Sequence, residues 1–211
     1  MRKNLKKPVI GIINYGMGNL HSVQSAFDKV GYNTKIVNTA SMLDSVDAVV
    51  LPGVGSFGKG INNLTNSSFI DSLYSNVLVK KKQFLGICLG MQLLASSSNE
   101  HGEHKGLDWI PGKVQKITPD DNGFIRLPHV GWNNIDVVSN SNLHKTDDTF
   151  YFVHSYHFLP NDKNVVLSTS YYGTDVVASI KKDNITAVQF HPEKSHNNGL
   201  NFLSNWCDGI C

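Results

Sequence analysis

The sequence carries no strong excess of charge of either sign. Its 19 lysines and arginines nearly balance its 17 aspartates and glutamates, and the net charge at pH 7 is +2. A surface that binds duplex nucleic acid needs a concentrated basic excess, so we predict no nucleic-acid partner. With 40% hydrophobic and only 17% charged residues, the 211-residue chain can bury a core and is too weakly charged for disorder. We expect a single folded domain over residues 1–211.

The sequence also has few cysteines and no long apolar run. The basic start, residues 1–7, is followed by the short apolar run Val9–Ile13, which is too short for a signal peptide or a membrane anchor. Three cysteines, Cys88, Cys207 and Cys211, are an odd and sparse count for a secreted domain that depends on disulfides. We therefore expect a cytoplasmic protein with no membrane partner and with reduced thiols, one of which is free for chemistry.

Short apolar runs alternate with amphipathic helical patterns in the first half of the chain. The predicted strands there are Pro8 to Tyr15, Tyr32 to Asn38, Asp47 to Leu51 and Gln83 to Cys88. The predicted helices are Leu20 to Val30, Ser41 to Val46, one within Asn62 to Lys82, and Leu89 to about Ser98. This alternation is typical of a parallel sheet, because parallel neighbours need crossover connections.

After Gly112 the pattern changes to strands separated only by turn residues, which is typical of hairpins. The predicted strands are Val114 to Ile117, Asn134 to Val138, Thr149 to Leu159, Val165 to Tyr172, Asp175 to Lys181 and Ile185 to Phe190, and a last helix spans about Asn198 to Trp206. We therefore predict an α/β fold, with a mostly parallel central sheet flanked by helices and antiparallel strands added in the C-terminal half.

A cysteine flanked by two glycines is the most informative motif. In Gly86-Ile-Cys88-Leu-Gly90 each glycine is two residues from the cysteine, the spacing of a nucleophile elbow between a strand and a helix. Such a turn strains the backbone and leaves no room for neighbouring side chains, which is why glycines flank it. It exposes the thiol at a helix N-terminus, which favours the thiolate, beside the Leu89 amide as an oxyanion donor. A buried structural cysteine is the ordinary alternative, but the paired glycines favour a nucleophile.

A nucleophilic thiolate needs a base, and the segment His191-Pro192-Glu193 provides one. Residues i and i+2 of an extended segment point the same way, so the Glu193 carboxylate can orient the His191 imidazole and fix its tautomer. The pair follows the predicted strand Ile185 to Phe190, and ligands bind beyond the carboxyl ends of strands in open parallel sheets. The sequence thus predicts a Cys88, His191 and Glu193 site at that edge.

Glycine-rich turns elsewhere do not complete a nucleotide site. The turn Leu51–Phe57 ends the third strand and can offer backbone N–H groups to an oxyanion. It misses the phosphate-loop pattern because Gly60 stands where Ser or Thr is required. The segment Gly16–Gly18 misses the dinucleotide fingerprint because His21 stands at the position of the third glycine. We therefore predict no nucleotide cofactor.

The remaining histidines do not suggest a metal site. His154 and His157 are three apart on one predicted strand and should face opposite sides, so they cannot share a zinc ion. Five others are interpreted as solvated loop residues: His21, His101, His104, His144 and His196. We predict no metal.

Six motifs together resemble the class I glutamine amidotransferases, whose catalytic triad includes a cysteine. They are Asn14–Leu20, Pro52–Gly55, Gly86–Gln92, Pro128–Asn133, Tyr151–Tyr156 and Gln189–Ser195. They follow one another in the expected order over essentially the whole chain. Within the family they resemble most the glutaminase subunits that supply ammonia for histidine biosynthesis.

The resemblance implies a role for each matching residue. Cys88 attacks the side-chain amide of glutamine, His191 passes a proton to the departing ammonia, and Glu193 holds His191. Backbone donors for the oxyanion are implied at Leu89, Val54 and Gly55. The amino-acid end of the substrate is expected to contact Gln92, Glu100, Ser155 and Tyr156. The residues expected to meet a partner protein are Asn14, Trp132, Tyr151 and Lys194.

The partner follows from the chemistry of ammonia, which becomes a poorly nucleophilic ammonium ion in neutral water and must be handed on through a dry passage. The resemblance implies a heterodimer with a (β/α)8 barrel cyclase. Three other functions remain open: a paralogous glutaminase that feeds a cyclase-like partner in surface-sugar biosynthesis, a stand-alone γ-glutamyl cysteine hydrolase, and a non-catalytic binding module of the same fold.

Overall fold

The computed structural model describes residues 7–120, 123–139 and 141–210 of the chain. The basic start at residues 1–6 and Cys211, on which two of the expectations rest, lie outside the described residues. Fourteen strands are present in these ranges. In chain order they are β1 (Val9–Ile13), β2 (Asn33–Val37), β3 (Ala48–Gly53), β4 (Gln83–Cys88), β5 (Ser97–Ser98), β6 (His104–Lys105), β7 (Gly112–Lys116), β8 (His129–Asn134), β9 (Asp136–Val137), β10 (Thr149–His154), β11 (Tyr156–Pro160), β12 (Val166–Tyr171), β13 (Asp175–Lys182) and β14 (Ile185–Val188).

Five α-helices accompany the strands in the described ranges. They are α1 (Leu20–Lys29), α2 (Phe57–Asn66), α3 (Phe69–Leu73), α4 (Leu89–Gln92) and α5 (His196–Asp208). The predicted short helix at Ser41 to Val46 is a 3-10 helix, Ala40–Ser45. In the described part of the chain, no helix combines the length and the apolar character needed to cross a membrane.

Eight of the strands form the central sheet, in the order β2-β1-β3-β4-β14-β13-β12-β9. The five strands from β2 to β14 run parallel to one another, while β13, β12 and β9 are antiparallel additions. This confirms the predicted α/β fold, including the antiparallel strands of the C-terminal half. It also places β4, whose last residue is Cys88, near the middle of the sheet.

The core lies on both faces of this sheet because neighbouring residues of a strand point to opposite sides. On one face, Val50 of β3 belongs to a core cluster that includes Phe27 of α1 and Trp206 of α5. On the other face, Leu51 belongs to a cluster that includes Leu64 of α2 and Phe69 of α3. The helices therefore hold the central strands from both sides, which keeps the carboxyl ends of β3, β4 and β14 in a fixed arrangement.

The predicted strand Thr149 to Leu159 is wrong as a single element. The chain pairs with β8 as β10 up to His154, leaves that ladder at Ser155, and pairs with β7 as β11 from Tyr156. The Ser155 carbonyl accepts a hydrogen bond from the Ile117 amide. Because the two halves belong to different sheets, the chain bends where they meet, and Ser155 is presented at the bend.

The helix expected from Leu89 to about Ser98 is also wrong, since α4 ends at Gln92. The carbonyls that would continue the helix accept hydrogen bonds from a later segment instead. Leu94 accepts from the Trp109 amide at 3.0 Å, and Ala95 accepts from the Asp108 amide at 3.1 Å. These partners are distant in sequence, so helix periodicity could not reveal them.

The helix predicted within Asn62 to Lys82 is divided and begins earlier. The helix α2 starts at Phe57. The helical conformation is interrupted at Ser68, whose φ of 56° is left-handed, and α3 begins after it. A π-helical turn, Tyr74–Val79, completes this region. The early start has a tertiary cause: the Phe57 amide donates to the Glu100 carboxylate at 2.6 Å, and a negative charge at a helix N-terminus is stabilising.

Candidate active site

Cys88 lies at the turn between the end of β4 and the start of α4. Its φ of 54° is in the left-handed region, which is strained for a residue with a side chain. A Cβ on Gly86 would lie 2.8 Å from the Gly90 carbonyl oxygen, and a Cβ on Gly90 would strike the Leu51 carbonyl oxygen. The elbow therefore needs glycine at both positions, for the steric reason inferred from the sequence.

The glycine-rich turn follows the strand next to the elbow. Strand β3 pairs with β4 so that Gly53 is opposite Cys88, and the turn continues through Val54 and Gly55, whose φ is 108°. A side chain at Gly53 would strike the buried hydroxyl of Tyr15. The turn is therefore fixed beside the sulfur by strand pairing and by the lack of room for a side chain.

His191 and Glu193 follow β14, which flanks β4 on its other side. The His191 Nδ1 donates to the Glu193 Oε1 at 2.7 Å, and the two side chains are only 2% and 3% exposed. This hydrogen bond orients the ring and leaves Nε2 available to another group. Nε2 is buried, and Cys88 is the neighbouring group that acts on this ring besides Glu193.

The Cys88 thiol and the Glu193 carboxylate together control the charge of His191. Burial alone would lower the pKa of His191, but the charge of Cys88 and hydrogen bonding with Cys88 and Glu193 outweigh burial and raise the pKa to about 10. A proton is therefore held on the imidazole of His191 at neutral pH, next to the Cys88 side chain. A protonated histidine next to a cysteine is the arrangement that a cysteine nucleophile with a histidine acid requires.

A cavity of about 400 Å³ opens onto the sulfur. Nine of the residues singled out from the sequence line it: Val54, Gly55, Cys88, Leu89, Gln92, Glu100, Ser155, Tyr156 and Lys194. His191 and Glu193 are not in the lining; the buried His191 ring lies between Cys88, which acts on its charge, and Glu193, which holds its Nδ1. Three lining residues had no role assigned from the sequence: Pro128, Val153 and His154.

Gln92 and Glu100 hold the walls of this cavity. The Gln92 Nε2 donates to the Tyr156 carbonyl at 2.9 Å, so α4 is tied to the start of β11. Glu100 is tied to α2 through the Phe57 amide. Both residues line the cavity, and each side chain carries oxygen that can accept hydrogen bonds.

Three of the four residues expected to meet a partner form one cluster. The Trp132 ring, 46% exposed, stacks on His196 with ring centres 4.8 Å apart and meets Tyr151 edge-on at 6.1 Å. The Lys194 Nζ lies 5.9 Å from the centre of the Tyr151 ring. Asn14 is not part of this cluster, since its amide donates to the Asn38 side chain at 2.8 Å.

Sequence reasoning missed Gln189. Its side chain is completely buried, and its Nε2 donates to the Cys88 Sγ at 3.6 Å. The sequence did contain a sign of this placement, because Gln189 is two residues before His191. The rule that aligned His191 with Glu193 in an extended segment also aligns Gln189 with His191.

The expectations for several histidines need correction. His154 and His157 lie on different strands, β10 and β11, rather than on one. His144 is buried, not solvated, and its Nε2 contacts the Ser179 hydroxyl at 2.7 Å. Within the described ranges, no group of three or more histidine, cysteine, aspartate or glutamate residues is arranged to hold a metal ion.

His129 and His154 form a buried pair at the cavity, of which His154 is a lining residue. The His154 Nδ1 donates to the Tyr156 carbonyl at 2.9 Å, so its Nε2 must accept from the His129 Nδ1 at 3.1 Å. The His129 Nε2 accepts from the Asn133 side-chain amide at 3.3 Å, so both rings are neutral. Burial lowers the pKa of His129 to about 4 and that of His154 to about 3.

We expect these buried histidines to make the protein sensitive to acid. Between pH 6.5 and pH 4 the unfolded chain binds protons at His129 and His154 that the folded chain does not. The stability they confer is therefore present above pH 6.5 and is lost as the pH falls. Each histidine contributes up to about 1.4 kcal/mol per pH unit to the slope of the free energy of unfolding against pH. Urea denaturation at pH 7.5, 6.0 and 5.0 measures the slope, and His129→Phe should reduce it. Equal slopes for the two proteins would contradict this account.

Comparison with known proteins identifies related sequences over the whole chain. The family model described as glutamine amidotransferase class-I matches residues 11–208. The imidazole glycerol phosphate synthase subunit HisH of Syntrophotalea carbinolica is 42% identical over 206 residues, covering 95% of this chain and 100% of the relative. The HisH subunit of Methanothermobacter thermautotrophicus is 44% identical, covering 96% of this chain and 99% of the relative.

Solved structures show the same fold at lower sequence identity. A crystal structure of a glutamine amidotransferase superposes with a TM-score of 0.72 at 18% identity, covering 94% of this chain and 98% of that one. A chain of PurLQS from Thermotoga maritima superposes with a TM-score of 0.72, also at 18% identity, covering 97% and 100%. At these identities the likeness concerns the fold alone.

Proposed function

The chain belongs to the class I glutamine amidotransferases, and we propose that Cys88, His191 and Glu193 are the catalytic triad with which it releases ammonia from glutamine. Its similarity to HisH subunits over at least 95% of both chains makes it the glutaminase subunit of an imidazole glycerol phosphate synthase, in histidine biosynthesis. We also propose that residues 1–211 act as one glutaminase domain.

The observation that carries the triad is the buried Nε2 of His191. Its ring is held by Glu193 at 2.7 Å, and the charge of Cys88 acts on it. With the proton on the imidazole and the negative charge on sulfur, Sγ attacks the side-chain carbonyl carbon of glutamine. The carbonyl oxygen becomes an oxyanion next to the elbow, where the amide of Leu89 and the turn at Val54 and Gly55 are the proposed donors.

Collapse of this intermediate breaks the carbon–nitrogen bond. His191 gives its Nε2 proton to the departing nitrogen, so the leaving group is neutral ammonia and the enzyme holds a glutamyl thioester. The neutral imidazole then takes a proton from water as the water attacks the thioester carbon. When the carbon–sulfur bond breaks, glutamate leaves and the thiolate and imidazolium are restored.

The amino-acid end of glutamine fits the polar walls of the cavity. We propose that the oxygens of Gln92 and Glu100 accept hydrogen bonds from the substrate ammonium group. The backbone of Ser155 and Tyr156, where β10 gives way to β11, also lines the cavity. It is the proposed site for the substrate carboxylate.

HisH relatives are subunits of a synthase, so this chain works with a partner subunit. We propose that the partner is a (β/α)8 barrel cyclase and that it covers the face bearing Trp132, Tyr151 and Lys194. The exposed side chains of Val130 and Trp132 extend this apolar face along β8. Lys194 belongs both to this cluster and to the cavity lining, so the proposed partner surface adjoins the site where ammonia is released. Asn14 is proposed as a separate contact.

The test compares glutamine hydrolysis by the chain alone with hydrolysis in the presence of the cyclase and its acceptor. We expect stimulation of about 10- to 100-fold, the usual size of coupling between two sites. Trp132→Ala should weaken binding of the cyclase by about 30-fold, as for a central interface aromatic. Tyr74→Ala, which removes an aromatic ring of similar exposure on another surface, is the matched control. Full activity without any partner, or equal binding by the two variants, would contradict the proposal.

A further inference from the structure

Gln189 uses both ends of its amide group inside the site. The Nε2 donates to the Cys88 Sγ at 3.6 Å, and the Oε1 accepts from the Gln92 Nε2 at 3.0 Å. The side chain is fully buried, and its backbone amide is fixed by the Ala178 carbonyl at 2.9 Å. One buried side chain therefore touches the nucleophile and a residue of the cavity wall.

The contact with Gln92 decides which way that amide faces. A primary amide has two N–H donors and one acceptor oxygen. Both donors of Gln92 are used, one for the Tyr156 carbonyl and one for Gln189. Only the oxygen remains for the substrate, so Gln92 can accept from an ammonium group and cannot donate to a carboxylate. Gln189 thereby helps to set the direction in which an amino acid is bound.

The contact with Cys88 acts on the reacting atom. An N–H that points at sulfur stabilises the negative thiolate more than the neutral thiol, and burial strengthens the interaction because water does not compete. The Gln189 donor also restricts where the sulfur lies between the glycine-rich turn and His191.

We propose that Gln189 is a positioning residue that holds the thiolate of Cys88 with its amide nitrogen and orients Gln92 toward the substrate with its amide oxygen. This inference rests on the proposed function, in which Cys88 is the nucleophile. It links the atom that attacks to the side chain that recognises the substrate.

Two substitutions separate the two contacts. Gln189→Glu keeps an oxygen that accepts from Gln92 but replaces the donor with a negative charge beside the sulfur. Gln189→Leu removes both contacts at similar volume. We expect kcat to fall at least about tenfold in both variants, the cost of losing a hydrogen bond to a charged group. KM should rise only in Gln189→Leu.

Alkylation of Cys88 by iodoacetamide at neutral pH supplies a readout that needs neither glutamine nor a partner. Its rate should fall about tenfold in both variants. Thr186→Val, a buried polar-to-apolar change on β14, is the control and should leave the rate unchanged. Thermal unfolding of each variant measures stability separately, and if Gln189→Leu does not fold, the more conservative Gln189→Glu carries the test.

The outcomes distinguish this inference from the proposed function. Wild-type kcat and alkylation rates in both variants would overturn the role of Gln189 while leaving Cys88 as the nucleophile. Equal rises of KM in both variants would also overturn it, because they indicate general damage to the cavity. Persistent hydrolysis by a protein without Cys88 would instead overturn the proposed function itself.

Discussion

Replacing Cys88 with alanine is expected to reduce glutamine hydrolysis by at least about 10⁴-fold, since removal of a covalent nucleophile leaves only the rate supported by binding and oxyanion donors. The substitution removes one sulfur atom from a residue that is 6% exposed, so the fold should persist. Release of glutamate is measured at saturating glutamine, with and without the cyclase, for the variant and the unchanged chain. The ratio of the two rates gives the loss of activity.

Cys207→Ala is the matched control for this experiment. Cys207 is buried in α5, within the core of the same sheet face, and its loss should lower stability by about 1 kcal/mol without changing turnover. Cys88→Ala should bind the cyclase as tightly as the unchanged chain. If Cys88→Ala hydrolysed glutamine faster than an inactivated sample of the same variant, the thioester mechanism would have to be abandoned.

The second large effect is expected for Gly90→Ala. A methyl group at this position would occupy the space of the Leu51 carbonyl oxygen. That oxygen belongs to the backbone of β3, which is paired on both sides within the sheet, so it cannot move aside without disrupting strand pairing. We expect a loss of more than about 3 kcal/mol in the free energy of unfolding, together with loss of glutaminase activity.

Urea denaturation of Gly90→Ala measures this effect, and Gly209→Ala provides the comparison. A methyl group on Gly209, just after α5, would lie 3.3 Å from the Trp206 carbonyl oxygen, a tight contact at a helix end where the chain can adjust. Its effect should stay within about 1 kcal/mol. A Gly90→Ala protein as stable as Gly209→Ala would show that the elbow tolerates a side chain and that its crowding has been overstated.

Much of the candidate active site could be predicted from short stretches of sequence. Cys88 with its two glycines, and His191 with Glu193, are constrained by neighbours only two residues away. A backbone that turns sharply, or runs extended, sets the relations among such residues locally. The order of strands and helices was predictable for a similar reason, because apolar periodicity reports which face of each element is buried.

Other parts of the site depend on contacts between distant segments. The helix α4 ends early because the amides of Asp108 and Trp109 donate hydrogen bonds to the carbonyls of Ala95 and Leu94. His144 can be buried because the Ser179 hydroxyl, 35 residues away, hydrogen-bonds with its ring. Neither effect leaves a periodic trace in the sequence, so a local pattern favours the wrong outcome in both places.

By itself the sequence determined the nucleophile elbow, the histidine–glutamate pair and the alternation that builds a parallel sheet. Only the tertiary structure decided that β3, β4 and β14 end side by side, that Gln189 reaches the sulfur of Cys88, and that Ser155 is presented where two strands part. The physical reason is that spacing along a chain governs local backbone geometry. Strand order and side-chain hydrogen bonds are instead selected by the burial of the whole core, to which every segment contributes at once.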